Sequence, residues 1–130
     1  MKTIHVILFF LLLLLSCNHP TTRMNDFAVH GIDVSHHQSY INWNLLPAQQ
    51  IHFAYIKATE GYYFQDTLFC YNWAAAKSVG ILRGAYHFFR PALDATSQAE
   101  NFCQLVQLER GDLPPVLDVE VLSSTPVPEL

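Results

Sequence analysis

Behind residue 26, apolar and polar positions alternate over four short stretches, and between those stretches apolar positions recur at helical spacing. Gly31-Ile32-Asp33-Val34-Ser35 alternates with period two. It predicts a strand that sends Ile32 and Val34 to one side and Gly31, Asp33 and Ser35 to the other. Ile51 to Thr59 is β-branched and aromatic, is closed by Glu60-Gly61, and predicts a second strand. Ile81 to Phe89 predicts a third. Leu113-Pro114-Pro115-Val116-Leu117-Asp118-Val119-Glu120 predicts a fourth, its start set by the tandem proline. On that strand Val116, Asp118 and Glu120 share a face, while Leu117, Val119 and Val121 form an apolar side to be covered by helices.

The connections carry helix signals. Ile41-Asn42-Trp43 leads into a short helix that Pro47 curtails. Asp66 is the expected cap of a helix running to about Val79, with Phe69, Trp73 and Ala76 as its stripe and Gly80 at the C′ position. Asp94 caps a further helix in which Ala95, Ala99, Phe102, Cys103 and Val106 repeat, and Gly111 is expected to end it. Strands alternating with helices across short connections imply parallel strands and an α/β fold.

Polar residues gather at the C-terminal ends of these strands: Asp33, Ser35, Lys57, Glu60, His87, Asp118 and Glu120. Both βα-barrels and open doubly wound sheets place ligands at that end. A nucleotide is not expected, because Asp33-Val34-Ser35-His36-His37-Gln38 lacks the glycines of a phosphate loop.

The N-terminus has a different character. Ile4 to Leu15 is apolar behind Lys2. The run is too short for a stable bilayer span and has the length of a secretory leader. Leu14-Leu15-Ser16-Cys17 resembles a bacterial lipoprotein signal, which implies cleavage before Cys17 and lipidation of its thiol. An ordinary secretory signal is the alternative, and either version exports the protein to the cell envelope or beyond. The expected organisation is a signal peptide over 1–16, a lipidated Cys17 with a tether over 17–26, a catalytic domain over 27–122 and a Pro-rich tail over 123–130.

Across 130 residues, 7 Lys and Arg stand against 11 Asp and Glu, a formal net charge of -4. That balance does not attract nucleic acid. Cys70 and Cys103 fall on the two predicted helices and are open to two readings, a disulfide or buried thiols.

Asp118 and Glu120 carry the candidate chemistry. Two carboxyls roughly 6–7 Å apart along one strand face raise one another's pKa, so one can stay protonated while the other is ionised. That is the minimum equipment for acid-catalysed bond cleavage; an Asp-x-Glu that merely caps a helix or pairs with an Arg is the plain alternative. His36, His37 and His87 beside Asp33 invite a metal reading. Adjacent histidines on one loop without a His-x-x-x-His pair argue against it, so no metal and no cofactor is expected.

Taken in order, five blocks resemble the glycoside hydrolase family 25 lysozymes. They are Gly31 to Gln38 with Ile41-Asn42-Trp43, Phe53 to Gly61, Gly84 to Phe88, Gln98-Ala99, and Leu113 to Glu120. The resemblance implies an irregular TIM-like barrel and a retaining muramidase that cuts the β-1,4 bond between N-acetylmuramic acid and N-acetylglucosamine in peptidoglycan. It implies Glu120 as general acid, Asp118 as its partner carboxylate, acting directly or by orienting the substrate's acetamido oxygen, and Asp33 as the first-strand carboxylate. Tyr55, Tyr86 and Phe88 offer faces for sugar rings or belong to the core, and Lys57 and Glu60 are substrate contacts or an internal ion pair.

A barrel of that kind has eight strands, whereas residues 27–121 supply four. The expectation is therefore a truncated half-barrel of low activity, open at its fourth strand to self-association. Two other readings remain: a non-catalytic module that binds glycan strands, and a chitinase-like glycosidase. The latter ranks below, because Pro114 and Val116 stand where its pattern carries Asp.

Overall fold

A computed structural model describes residues 26–120. The leader, Cys17 with nearly all of its tether, and the Pro-rich tail lie outside the described residues. Strands β1 (His30–Val34), β2 (Ile51–Glu60), β4 (Leu82–Phe88) and β5 (Val116–Asp118) form a sheet in the order β1-β2-β4-β5. All three of those pairings are parallel, as the crossover pattern requires. Strand β3 (Phe64–Gln65), which sequence reading missed, folds back antiparallel on the end of β2.

Two α-helices, α1 (Phe69–Ser78) and α2 (Ala95–Leu105), and three short 3-10 turns join these strands among the described residues. The core lies on one side of the sheet. Val34, Ala54, Ile56, Ala58 and Ala85 come from the strands, and Trp43, Phe69, Ala76, Ile81 and Val106 from the connections. Alanines at three of the sheet positions let the covering layer approach closely, as native packing density demands. The Trp43 indole N–H donates to buried Asn72 Oδ1 at 3.0 Å, which pins the first crossover to α1.

Several expectations need correcting. The short helix expected after Ile41-Asn42 forms as a 3-10 turn, Trp43–Leu45, that stops before Pro47, and a second 3-10 turn, Pro47–Gln49, follows it. Pro47 cannot continue the preceding hydrogen-bond ladder, and Gln50, at φ 62, turns the chain into β2. Helix α1 starts at Phe69 rather than at an Asp66 cap. The Asp66 carboxylate accepts the Leu68 N–H at 2.9 Å but also the His36 N–H at 2.9 Å, so it ties two loops together. Gly80 does occupy C′, at φ 76.

Asp94 caps α2 through the Ser97 N–H at 2.7 Å, yet the helix ends at Leu105, six residues before Gly111. Val106 is extended, and buried Arg83 draws the next turn inward through Asp112, at 2.7 Å from its Nε. Gly111, at φ 99, serves that turn instead of the helix. Cys70 and Cys103 are free and exposed, so the described structure carries neither the bridge nor the buried pair of thiols.

Strand β5 is shorter and more open than expected. Only three residues pair, because the tandem proline removes donors ahead of them. Leu117 is 60% exposed and Val119 57%. Among the described residues no helix covers that side: α2 stops against His87, through Phe102, and leaves an apolar cavity of about 360 Å³ below Leu117. No described helix is long and apolar enough to cross a membrane.

Candidate active site

The sheet face opposite the core is built from a floor of aromatic rings. Asp33 on β1 has Tyr55 on β2 as its register partner, and Tyr55 in turn pairs with Gly84 on β4. Gly31 and Gly84 lie beneath the rings of Phe53 and Tyr55, where a Cβ would overlap the ring atoms. The absence of those side chains lets the two rings lie across the sheet, edge to face at 6.3 Å and 80°. The Tyr55 hydroxyl then donates to the Pro114 carbonyl at 3.3 Å, tying the floor to the entrance of β5.

Strand β5 is registered against β4 by Tyr86 with Val116, His87 with Leu117 and Phe88 with Asp118. The Phe89 N–H donates to the Asp118 carbonyl at 2.8 Å, which fixes where Asp118 leaves the strand. A groove of about 330 Å³ results, lined by Asp33, Tyr86, Asp118 and Glu120 together with Val116, Leu117 and Val119. The three carboxylates singled out in the sequence therefore share one groove. Burial pushes the Tyr86 phenol above its ordinary range, and the negative charges of Asp33, Asp118, Asp66 and Glu120 push it further.

The other polar residues form a second cluster. The β2–β4 register slips between Lys57 and Thr59. That bulge brings Lys57 and Glu60, three apart, to the same side. The buried Lys57 ammonium donates to Glu60 Oε2 at 2.6 Å, and Arg90 grips Glu60 Oε1 through Nε at 2.8 Å and through Nη2. Burial alone would raise the Glu60 carboxyl; the bonds from Lys57 and Arg90 outweigh it and hold the carboxyl below its ordinary range. Both cations lie over the Phe88 ring at 4.8 Å.

Of the five further residues proposed from sequence, Tyr86 alone lines the acidic groove. Tyr55 lies outside its lining and ties β2 to Pro114, Phe88 lies against the Lys57 and Arg90 cations, Lys57 is spent on Glu60, and Glu60 borders a separate cleft. His87, grouped in the sequence with the strand-end polar set, faces the helices: its Nδ1 lies 2.7 Å from Thr59 Oγ1 and its Nε2 3.2 Å from Gln98 Oε1. His87 follows the alternation of β4, on the side of buried Arg83 and Ala85, and the bulge in β2 turns Thr59 to meet it. Ser35 is also turned inward, capping the 3-10 turn His36–Gln38. Sequence reading missed Arg90 and the double role of Asp66; both sit just past a strand end or turn, where only spatial neighbours reveal them.

The family model for glycosyl hydrolases family 25 matches residues 32–129, from β1 to beyond β5. The chain belongs to glycosyl hydrolase family 25. Lysozyme M1 of Streptomyces globisporus is 47% identical over 96 residues, covering 71% of this chain and 33% of that protein. The uncharacterized protein YegX of Escherichia coli K12 is 44% identical over 100 residues, covering 73% of this chain and 37% of YegX. Among solved structures, a family 25 glycosyl hydrolase from Bacillus anthracis superimposes with a TM-score of 0.74 at 40% identity, covering 83% of this chain and 50% of that one. The Streptomyces coelicolor lysozyme gives a TM-score of 0.69 at 44% identity, covering 76% and 48%.

The chain thus spans about half the length of the solved family 25 structures and less of the curated relatives. The whole acidic groove falls within the family 25 match. Membership of this family sets the chitinase-like alternative aside.

Proposed function

We propose that this chain carries the carboxylate side of a muramidase site that hydrolyses β-1,4 linkages between N-acetylmuramic acid and N-acetylglucosamine in peptidoglycan. The observation that carries the reading is the convergence of Asp33, Asp118 and Glu120 on one groove around Tyr86. A glycosidic oxygen leaves only when protonated, and Glu120 is the proposed acid. Asp118, held by the Phe89 N–H to its carbonyl, stabilises the positive charge that develops at the sugar, directly or through the substrate's acetamido group. Asp33, across the groove, orients water and proton. Tyr86, neutral at ordinary pH as any phenol is and held further from ionisation by burial and by these carboxylates, presents an O–H donor to the bound sugar. Tyr55 supports this site from below; Lys57, Glu60 and Phe88 brace its wall.

Export and lipidation at Cys17 belong to the same proposal and put the groove on the envelope side, beside its substrate. Because the described residues leave Leu117 and Val119 beside the groove uncovered, turnover by the described residues alone is expected to be slow, and the exposed strand edge invites self-association. The test is release of reducing ends from purified peptidoglycan, with muramic acid at the new end. Glu120→Gln is expected to lower that release by about 10²- to 10⁴-fold. The same uncovered side favours a second reading, glycan binding without cleavage, which predicts sedimentation with insoluble peptidoglycan and no new reducing ends.

A further inference from the structure

A cleft of about 660 Å³, twice the volume of the acidic groove, opens at the same end of the sheet and shares no lining residue with it. Its walls come from the loop after β1, the β2–β3 turn and the loop after β4. It borders the acidic groove along the chain: His36 follows Asp33 by three residues, and Arg90 follows Phe88, the register partner of Asp118, by two.

Charge on and just behind the cleft is balanced in number: two cations, Lys57 and Arg90, which share the carboxylate of Glu60, stand against two carboxylates, Glu60 and the Asp66 carboxylate that bonds His36 and has no exposed side-chain surface. An anion would therefore find no excess of positive charge there. What remains is neutral hydrogen-bonding capacity. A carboxylate only accepts, so the 2.7 Å contact with Asp66 puts the shared proton on His36 Nδ1 and leaves Nε2 facing out with no partner among the described residues. Arg90 bonds Glu60 through Nε and Nη2, which leaves Nη1 as an unspent donor.

Beside these groups stands Tyr63, 73% exposed, its ring set edge to face with Tyr62 at 5.0 Å and 67°. An exposed aromatic face flanked by one unspent donor and one unspent ring nitrogen matches the two-sided character of a pyranose, apolar on its C–H face and polar at its rim. We infer that the His36–Tyr63–Arg90 cleft is a binding subsite for a further, uncharged amino-sugar unit of the glycan strand, beyond the linkage cut at Glu120. The inference rests on the muramidase reading and adds where the strand is held.

The test uses the full chain carrying Glu120→Gln, so that binding is measured without cleavage. The probes are glycan strands stripped of stem peptide by an amidase and, separately, the released stem peptides. In this background Tyr63→Ala is expected to weaken binding of stripped strands about tenfold, Tyr63→Phe to retain it, and the His36 ring proton signals to shift when strands are added. Equal affinity of Tyr63→Ala and its parent, or binding that requires the stem peptides, overturns the subsite. If the parent also releases reducing ends and Glu120→Gln does not, the muramidase reading survives that loss. If no glycan binds and no reducing ends appear, both fall together.

Discussion

Asp33 on β1 and Tyr86 on β4 line one groove although β2 runs between them. The intervening strand permits this because its own inward residues lie low: Tyr55 is flat over Gly84, and Lys57 is turned aside to Glu60. Charge from β1 and β5 therefore meets over β4, and the phenol between them registers it.

That relationship gives a titration. The Tyr86 phenol is held above its ordinary value near 10, by burial first and by the carboxylates second. A raised folded-state pKa means that its contribution to stability is fully present below about pH 10 and lost as pH rises above it. By NMR of labelled tyrosine, Tyr86 is expected to stay protonated at pH 11, above the ordinary phenol value. Asp33→Asn is expected to lower the Tyr86 midpoint part of the way back; an unchanged midpoint would mean that Asp33 does not act on the phenol.

The aromatic floor depends on two missing side chains. Gly84→Ala drives a methyl into the Tyr55 ring and is expected to cost about 1–3 kcal/mol in urea unfolding. Tyr55→Ala in the same chain removes the clash, so the double variant should lose less than the sum of the single losses. Strict additivity would show that the ring does not sit where Gly84 leaves room.

Below the sheet, Asp112 gives the acid limb. Burial alone would raise its carboxyl, but Arg83 and the Glu109 N–H outweigh burial and hold it below its ordinary range. Its contribution is therefore present above the ordinary carboxylate value near 4 and lost as pH falls below it. Asp112→Asn is expected to destabilise the chain at pH 7 by about 1–3 kcal/mol and to flatten the fall in stability below pH 4, read by thermal unfolding across pH.

At the open edge, Leu117 is exposed beside an apolar cavity. Sedimentation velocity is expected to show concentration-dependent association of the parent, and Leu117→Asp to give a monomer of unchanged thermal stability. A variant that associates like its parent would move the contact elsewhere.

How far the sequence could be read differs between elements. The four parallel strands were legible because alternation and tandem proline are local signals, and so were Asp33, Asp118 and Glu120, whose shared face follows from strand period and sheet order. Face assignments failed at the β2 bulge. Period two carried across Lys57, Ala58 and Thr59 cannot show a one-residue slip, and that slip sends Thr59 to the helices and Glu60 to the rim, whereas His87 follows the plain alternation of β4 and shares the side of buried Arg83 and Ala85. The end of α2 failed for a related reason: Gly111 is a sound stop signal, but Arg83, twenty-eight residues earlier in the chain, reshapes the segment before it. The exposure of β5 lay beyond local pattern, because burial is decided by what covers a strand.

The central claim concerns which atoms do the chemistry, and a graft tests it most directly. Residues 27–120 replace the matching half of a full-length family 25 lysozyme, and reducing-end release from peptidoglycan is followed for the chimera and its Glu120→Gln, Asp118→Asn and Asp33→Asn variants. The prediction is a folded chimera that exposes muramic acid ends, with Glu120→Gln lowering kcat at least about 100-fold and glycan affinity retained. A folded chimera that cuts equally fast with Gln at position 120 would contradict it.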